Sequence, residues 1–249
     1  MQAFGSLEML TLLGGVLIVA LLYSSVGHGG ASGYIALMVL CGVAPLEIRP
    51  VALFLNILVA LIATIAFFRS GHFSWRLFWP FALASIPASY LGGGLHLPQE
   101  VYRTVIGGVM LFCAFRLFWR SAKAAEQPIR TPALPFALSI GAILGLLSGL
   151  TGVGGGIFLS PLLLLMDWAR PKEAAGIAAP FILVNSIAGL LGYLHALGNL
   201  PTFAPPLALA ALTGAFIGTH LGSRHFAPAT VNRLLSLVLV IAGLKLLMI

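Results

Sequence analysis

GLTGVGGGIFLSP, from Gly149 to Pro161, decides how this chain is read. Five of its first eight residues are glycine, yet the runs on either side, SIGAILGLLSGL and IFLSPLLLLM, are apolar. Glycine inside a helix costs about 0.5–1 kcal/mol relative to alanine. A cluster of glycines in so greasy a setting therefore marks a deliberate break. The setting itself is lipid. The 249 residues are 60% hydrophobic and 8% charged, with a mean hydropathy of +1.07. A soluble domain carries about 25% charged residues, and no soluble fold of this length can hide so much apolar surface.

The apolar segments come in two sets of five. The first set runs over about 7–26, 30–43, 51–68, 77–95 and 102–119; the second over about 134–150, 157–168, 174–194, 203–222 and 231–248. In each set the second segment is short for a crossing, which takes about 20 residues. A polar stretch, RSAKAAEQPIRTP, separates the sets. The sets also match residue by residue. VGHGG (26–30) pairs with TGVGG (151–155) at an offset of 125, and Asn56 pairs with Asn185 at 129. Pro98, Val101 and Arg103 pair with Pro228, Val231 and Arg233 at 130. The expected organisation is a first membrane repeat over 1–120, a cytoplasmic linker over 121–132 and a second repeat over 133–249.

Charge decides the parity of each repeat. If the first two segments of a half return the chain to its starting side, ten basic residues share one side: Arg69, Arg76, Arg116, Arg120, Lys123, Arg130, Arg170, Lys172, Arg224 and Arg233. Only Arg49, Arg103 and Lys245 fall on the other. Reading each pair as one broken span gives seven against six, which orients nothing. The first arrangement obeys the positive-inside rule. It makes the repeats inverted and puts both termini outside the cytoplasm. Two full crossings and a dipping hairpin have the same parity, so both stay open. The N-terminus lacks a positive region and a small-residue cleavage site, and reads as a retained span.

The fold class expected is therefore an all-α polytopic membrane protein of two inverted repeats, with glycine-broken or short helices near the midplane. Broken backbone at that depth is tolerated only against protein or a wet cavity. Inverted repeats that dip would bring two helix N-termini together, with free N–H groups and positive dipole ends that suit an anion. The candidate substrate-binding residues are Gly27, His28, Gly29, Gly30, Ser32 and Asn56 in the first half. Thr151, Gly152, Gly154, Gly155, Gly156 and Asn185 complete the set in the second. Ser24, Ser25 and Ser160 add neutral donors nearby. His28 is the proton-linked or substrate-contacting candidate, with Val153 in its place in the second half. His220 reads as a packed polar residue, and His72, His96, His195 and His225 as loop or interface residues. Gly92, Gly93, Gly94, Gly107, Gly108, Gly214 and Gly218 read as close-packing glycines.

Other chemistries find little support. Glu8, Glu47, Glu100, Glu126, Asp167 and Glu173 sit near segment ends or in loops, which disfavours a cation carrier with a mid-span carboxylate. Cys41 and Cys113 form neither a metal-site spacing nor a disulfide framework. No lysine follows the glycine run, as a phosphate-binding loop would need. No metal ligand set, paired acid and base, catalytic residue or cofactor motif stands out, so no enzyme is expected. The basic residues sit singly between apolar segments, so nucleic acid is not an expected partner. Membrane lipid and a small anionic substrate are, and a homodimer is compatible with both.

SSVGHGGASGY paired with GLTGVGGGIFLSPLLLL, in two apolar halves, resembles the sulfite exporter TauE/SafE family, also called the 4-toluene sulfonate uptake permease family. Pro161 after the glycine run is the most telling residue. His28 and Ala31 depart from a plainer glycine run. The resemblance covers nearly the whole chain. It implies secondary transport of a small sulfur-containing anion such as sulfite or a sulfonate, in the bacterial inner membrane. A passive anion channel, or a carrier of a non-sulfur organic anion, is the alternative. Import or export, the coupling ion and the oligomeric state do not follow.

Overall fold

A computed structural model describes residues 6–95, 111, 114–115, 131–196 and 198–248. The first half folds as α1 (Ser6–Ser24), α2 (Ala31–Leu40), α3 (Pro45–Arg69) and α4 (Trp75–Gly94). The second half gives α5 (Leu134–Thr151), α6 (Gly156–Leu165), α7 (Pro171–Ala196), α8 (Ala204–His220) and α9 (Pro228–Met248). Among the described residues the secondary structure is helical, and four stretches are long and apolar enough to cross a membrane: 47–69, 134–151, 171–196 and 204–225. The segment expected over 102–119 and the linker over 121–130 lie outside the described residues, apart from Leu111, Ala114 and Phe115.

Helix ends follow backbone chemistry. α3 begins at Pro45, six residues before the expected start, and contains Pro50. A proline at the first helical position lacks only a hydrogen that had no partner anyway, and Pro50 still falls within the opening turns. α2 and α6 have 10 residues each. At 1.5 Å per residue they reach about 15 Å, half the hydrocarbon thickness. Both end alike. After α2, Gly42 takes a left-handed φ of 72° and Val43 donates back to the Met38 carbonyl. After α6, Asp167 takes φ 56° at the corresponding position, and Trp168 donates back to Leu163. Aspartate is one of the few residues that accepts this conformation.

The two halves exchange partners. The first helix of each half packs on the fourth of the other: α1 on α8, and α5 on α4. α3 packs against α7 between them. Both exchanged contacts are backbone to backbone. Gly141, Gly145 and Gly149 face the carbonyls of Phe81, Ser85 and Ser89, one helical turn apart each time. Gly214, Gly218 and Gly222 face the carbonyls of Leu17, Leu21 and Ser25 in the same way. Small residues at every fourth position let helices approach this closely where no hydrophobic effect drives them together. Leu10, Ile18, Leu83, Leu91, Leu209 and Phe216 are more than half exposed, as a lipid-facing surface requires.

Gly145→Val would drive a side chain into the Ser85 backbone. Overpacking of this kind costs about 1–3 kcal/mol, so its thermal unfolding in detergent should fall by several degrees. Gly14 has open space around it, and Gly14→Ala should unfold no earlier than the wild type.

Candidate functional site

The first break follows α1. Gly27 is left-handed at φ 76°, and His28 donates its N–H back to the Tyr23 carbonyl, closing the helix end. Gly30, at φ 97°, then opens α2. The second break follows α5, where Gly152, Gly154 and Gly155 have φ of 75°, 80° and 72° before α6 begins. A residue with a Cβ is strained at such angles.

The two breaks touch the same side chains. A Cβ on Gly29 would collide with Oδ1 of Asn56 and lie 3.1 Å from Ile182. A Cβ on Gly154 would lie 2.7 Å from Nδ2 of Asn56, 2.8 Å from Ile182 and 3.0 Å from Ser186 Oγ. Asn56, from α3, and Ile182, from α7, are therefore wedged between one turn from each half. A small cavity opens beside them. Tyr23, His28, Gly29, Gly30, Ala31 and Ser32 line it from the first half, with Val153, Ile157 and Ile182 from the second. Its free core is about the size of a water molecule.

The two asparagines do different jobs. Asn56 Oδ1 accepts from the Ala31 N–H at 3.0 Å and so caps α2; its Nδ2 lies 3.5 Å from Ser186 Oγ. Asn185 donates from Nδ2 to the Phe181 carbonyl of its own helix at 2.8 Å, and its buried Oδ1 has no hydrogen-bond partner. The residue matching Ala31 is Gly156, whose N–H turns back onto the Gly154 carbonyl at 2.9 Å. The start of α6 thus carries no side-chain cap.

Most of the neutral donors read from the sequence are already engaged. Ser24 donates to the Ala215 and Leu21 carbonyls, Ser25 to Leu22 and Thr151 to Leu147. Without water, hydroxyls close onto the carbonyl a turn behind them. The remaining polar groups are not closed onto their own helix in this way. Ser32 donates to the Tyr23 hydroxyl at 3.0 Å, which leaves the Tyr23 phenol proton. His28 Nδ1 lies 3.1 Å from the Val26 carbonyl, and its Nε2 is buried without a partner. Ser160 Oγ and the Tyr34 hydroxyl are likewise buried without partners. Tyr34 packs against Gly30.

Three placements differ from the sequence reading. His220 is not packed: it is exposed at the end of α8, its ring centroid 5.0 Å from that of His225. His195 belongs to the last turn of α7. Arg49, assigned to a loop, lies in the second turn of α3 against Gly152. Its guanidinium donates to the carbonyls of Leu95 (3.1 Å), Gly92 (2.7 Å), Gly93 (2.6 Å) and Gly149, and lies over the Tyr193 ring. A cation suits these helix ends, whose last carbonyls lack partners. The second half repeats the device, for Lys172 in the first turn of α7 reaches the Ser223 carbonyl at 3.5 Å. Ser223 stands 130 residues after Gly93, the offset already read from the sequence. A basic residue near the start of each third helix was the available signal.

Among the described residues no group of three or more His, Cys, Asp or Glu could hold a metal ion. His96 and Cys113 lie outside the described residues. Asn56→Leu should strand the Ala31 N–H, a loss of about 1–3 kcal/mol, while Asn185→Leu removes an orphaned acceptor and should cost less. Thermal unfolding of the two variants in one detergent would order them.

Comparison with known proteins identifies the family. The family model described as sulfite exporter TauE/SafE matches residues 12–246. The chain is 41% identical over 233 residues to probable membrane transporter protein y4hK of Sinorhizobium fredii, covering 92% of this chain and 94% of that one. It is 26% identical over 248 residues to probable membrane transporter protein YjnA of Bacillus subtilis, covering 92% and 96%. With probable membrane transporter protein MJ0441 of Methanocaldococcus jannaschii it shares 25% over 207 residues, covering 79% and 77%. No solved structure matches. The chain belongs to the sulfite exporter TauE/SafE family and is a multi-pass membrane transporter, not an enzyme.

Proposed function

We propose that this TauE/SafE chain carries a small sulfur-containing oxyanion, such as sulfite or a sulfonate, through the space between its two glycine turns. The observation behind this reading is that Gly29 and Gly154, one from each half, lie against the same Asn56. Two helix N-termini, α2 and α6, open from those turns. Each end is worth about 0.3–1 kcal/mol to an anion, or about 2 when partly buried. A charge at the bilayer centre costs at least about 2.5–3.5 kcal/mol. Direct bonds must therefore contribute, and each one to a charged group adds about 1.5–3 kcal/mol. The Tyr23 phenol proton and the cavity-lining backbone supply them.

The halves act as inverted repeats. Support comes from the charge asymmetry, ten basic residues against three, and from the exchange of partners between halves. On this reading α2 and α6 dip to mid-depth, the termini lie outside the cytoplasm, and the membrane is the bacterial inner membrane. The water-sized cavity corresponds to a closed state. A guest enters when the turns part toward one side, as alternating access requires.

The test is uptake of sulfite and methanesulfonate into liposomes holding the purified protein. Saturating flux with counterflow is expected. Gly154→Leu, which fills the space beside Asn56, should abolish it, and Gly14→Leu, which meets open space, should not. Normal flux through correctly inserted Gly154→Leu would remove the site from between the turns. Flux of small carboxylates alone would move the cargo to a non-sulfur anion.

A further inference from the structure

We propose that the cargo anion binds together with one proton, held on Nε2 of His28, so that the carrier moves anion and proton as a pair. The inference rests on the carrier reading above and adds its coupling ion. It starts from one hydrogen bond. His28 Nδ1 lies 3.1 Å from the Val26 carbonyl oxygen. A carbonyl oxygen only accepts, so Nδ1 is the nitrogen that carries the hydrogen. A neutral imidazole has one N–H, and Nε2 is then a bare lone pair. The residue is 1% exposed, its Nε2 has no hydrogen-bond partner, and it lines the cavity.

A lone pair facing an anion is repulsive, since both are acceptors. A proton on Nε2 turns the same atom into a charged donor. The groups that face the ring set the balance. Tyr23 faces it from α1, and Tyr34 stands behind Gly30 on α2. Val153, Ile157 and Ile182, from the second half, bear no charge, Asn56 from α3 is neutral, and the Gly156 backbone approaches the imidazole without meeting hydrogen-bond geometry. Among the described residues no carboxylate, lysine or arginine lines the cavity. An imidazolium there has no counter-ion other than the cargo.

That pairing produces coupling. An isolated charge in a space closed to water is costly, and a paired, hydrogen-bonded one much less so. The empty carrier with neutral His28 can close. The carrier holding anion and imidazolium can also close. Anion alone or proton alone leaves one charge uncompensated and holds the turns apart. The proton enters from water on the open side, sits on Nε2 during closure, and leaves with the anion on the far side. By linkage, each raises the affinity for the other.

The experiment is calorimetric titration of purified protein with methanesulfonate above neutral pH, in buffers of different ionisation heat. The acid of methanesulfonate is too strong to hold a proton, so any proton taken up goes to the protein. About one proton per bound anion is expected. His28→Gln offers a permanent amide N–H and should bind the anion with no proton uptake. In liposomes, an inward proton gradient should concentrate methanesulfonate with the wild type and not with this variant. Binding without proton uptake by the wild type, or equal uptake by the variant, overturns the proposal. If neither methanesulfonate nor sulfite binds the wild type, the carrier reading itself fails.

Discussion

Backbone polar groups inside a membrane must find their partners without water, and the buried bond from the Ala31 N–H to Asn56 Oδ1 answers that demand at the start of a broken helix. A helix that starts inside the protein exposes several N–H groups at once. Asn56 satisfies one of them and, from the same position, touches the turn of the other half. The same demand explains the hydroxyls folded back on their own helices and the Arg49 guanidinium set among four carbonyls. Lipid cannot supply partners, so the sequence supplies them one by one.

The demand is met unequally in the two halves. The first turn holds Tyr23, His28 and Ser32, and a capping asparagine. The second has Val153 where the first has His28, and glycine where it has alanine; its asparagine caps nothing. Both halves lay out a long helix, a glycine break and a short helix in the same order. The side chains able to exchange protons and donate bonds are concentrated on one of them. The other contributes bare backbone and apolar walls. A guest between the turns would meet a chemical surface on one side and a mainly steric one on the other.

Much of this was legible because period, glycine and charge are local signals. The breaks at Gly27–Gly30 and Gly152–Gly156 announce themselves, as do the two short helices. Long-range partners were not legible. Nothing near Arg49 in the sequence says that its side chain will reach Gly92, Gly93 and Gly149, so a charged residue after a proline read as a loop. Pro50 hid the early start of α3, since a proline beyond the first helical position removes a backbone donor and reads as a helix boundary. Ser24 and Thr151 looked like free donors because a sequence shows a hydroxyl but not the carbonyl a turn behind it. His28 was visible as a candidate; that one of its ring nitrogens lies against the Val26 carbonyl was not.

The packing also limits which parts of a carrier of this design can move. α5 lies on α4, and α8 on α1, with glycine against carbonyl along three successive turns. Contacts so close have no flexible side chains to absorb sliding, since one helix would have to climb over the backbone of the other. Each pair therefore behaves as one body, and each body joins the two halves of the sequence. The contacts between α3 and α7 are of another kind. There Asn56, Ile182 and Ser186 meet through side chains that can change rotamer. On the carrier reading proposed above, relative motion of the two bodies would have to pass through that seam, where the glycine turns and the cavity lie and where Arg49 also ties α3 to α4 and α5. The small residues that look like mere filler in the sequence thus confine any opening to the place where a guest could bind.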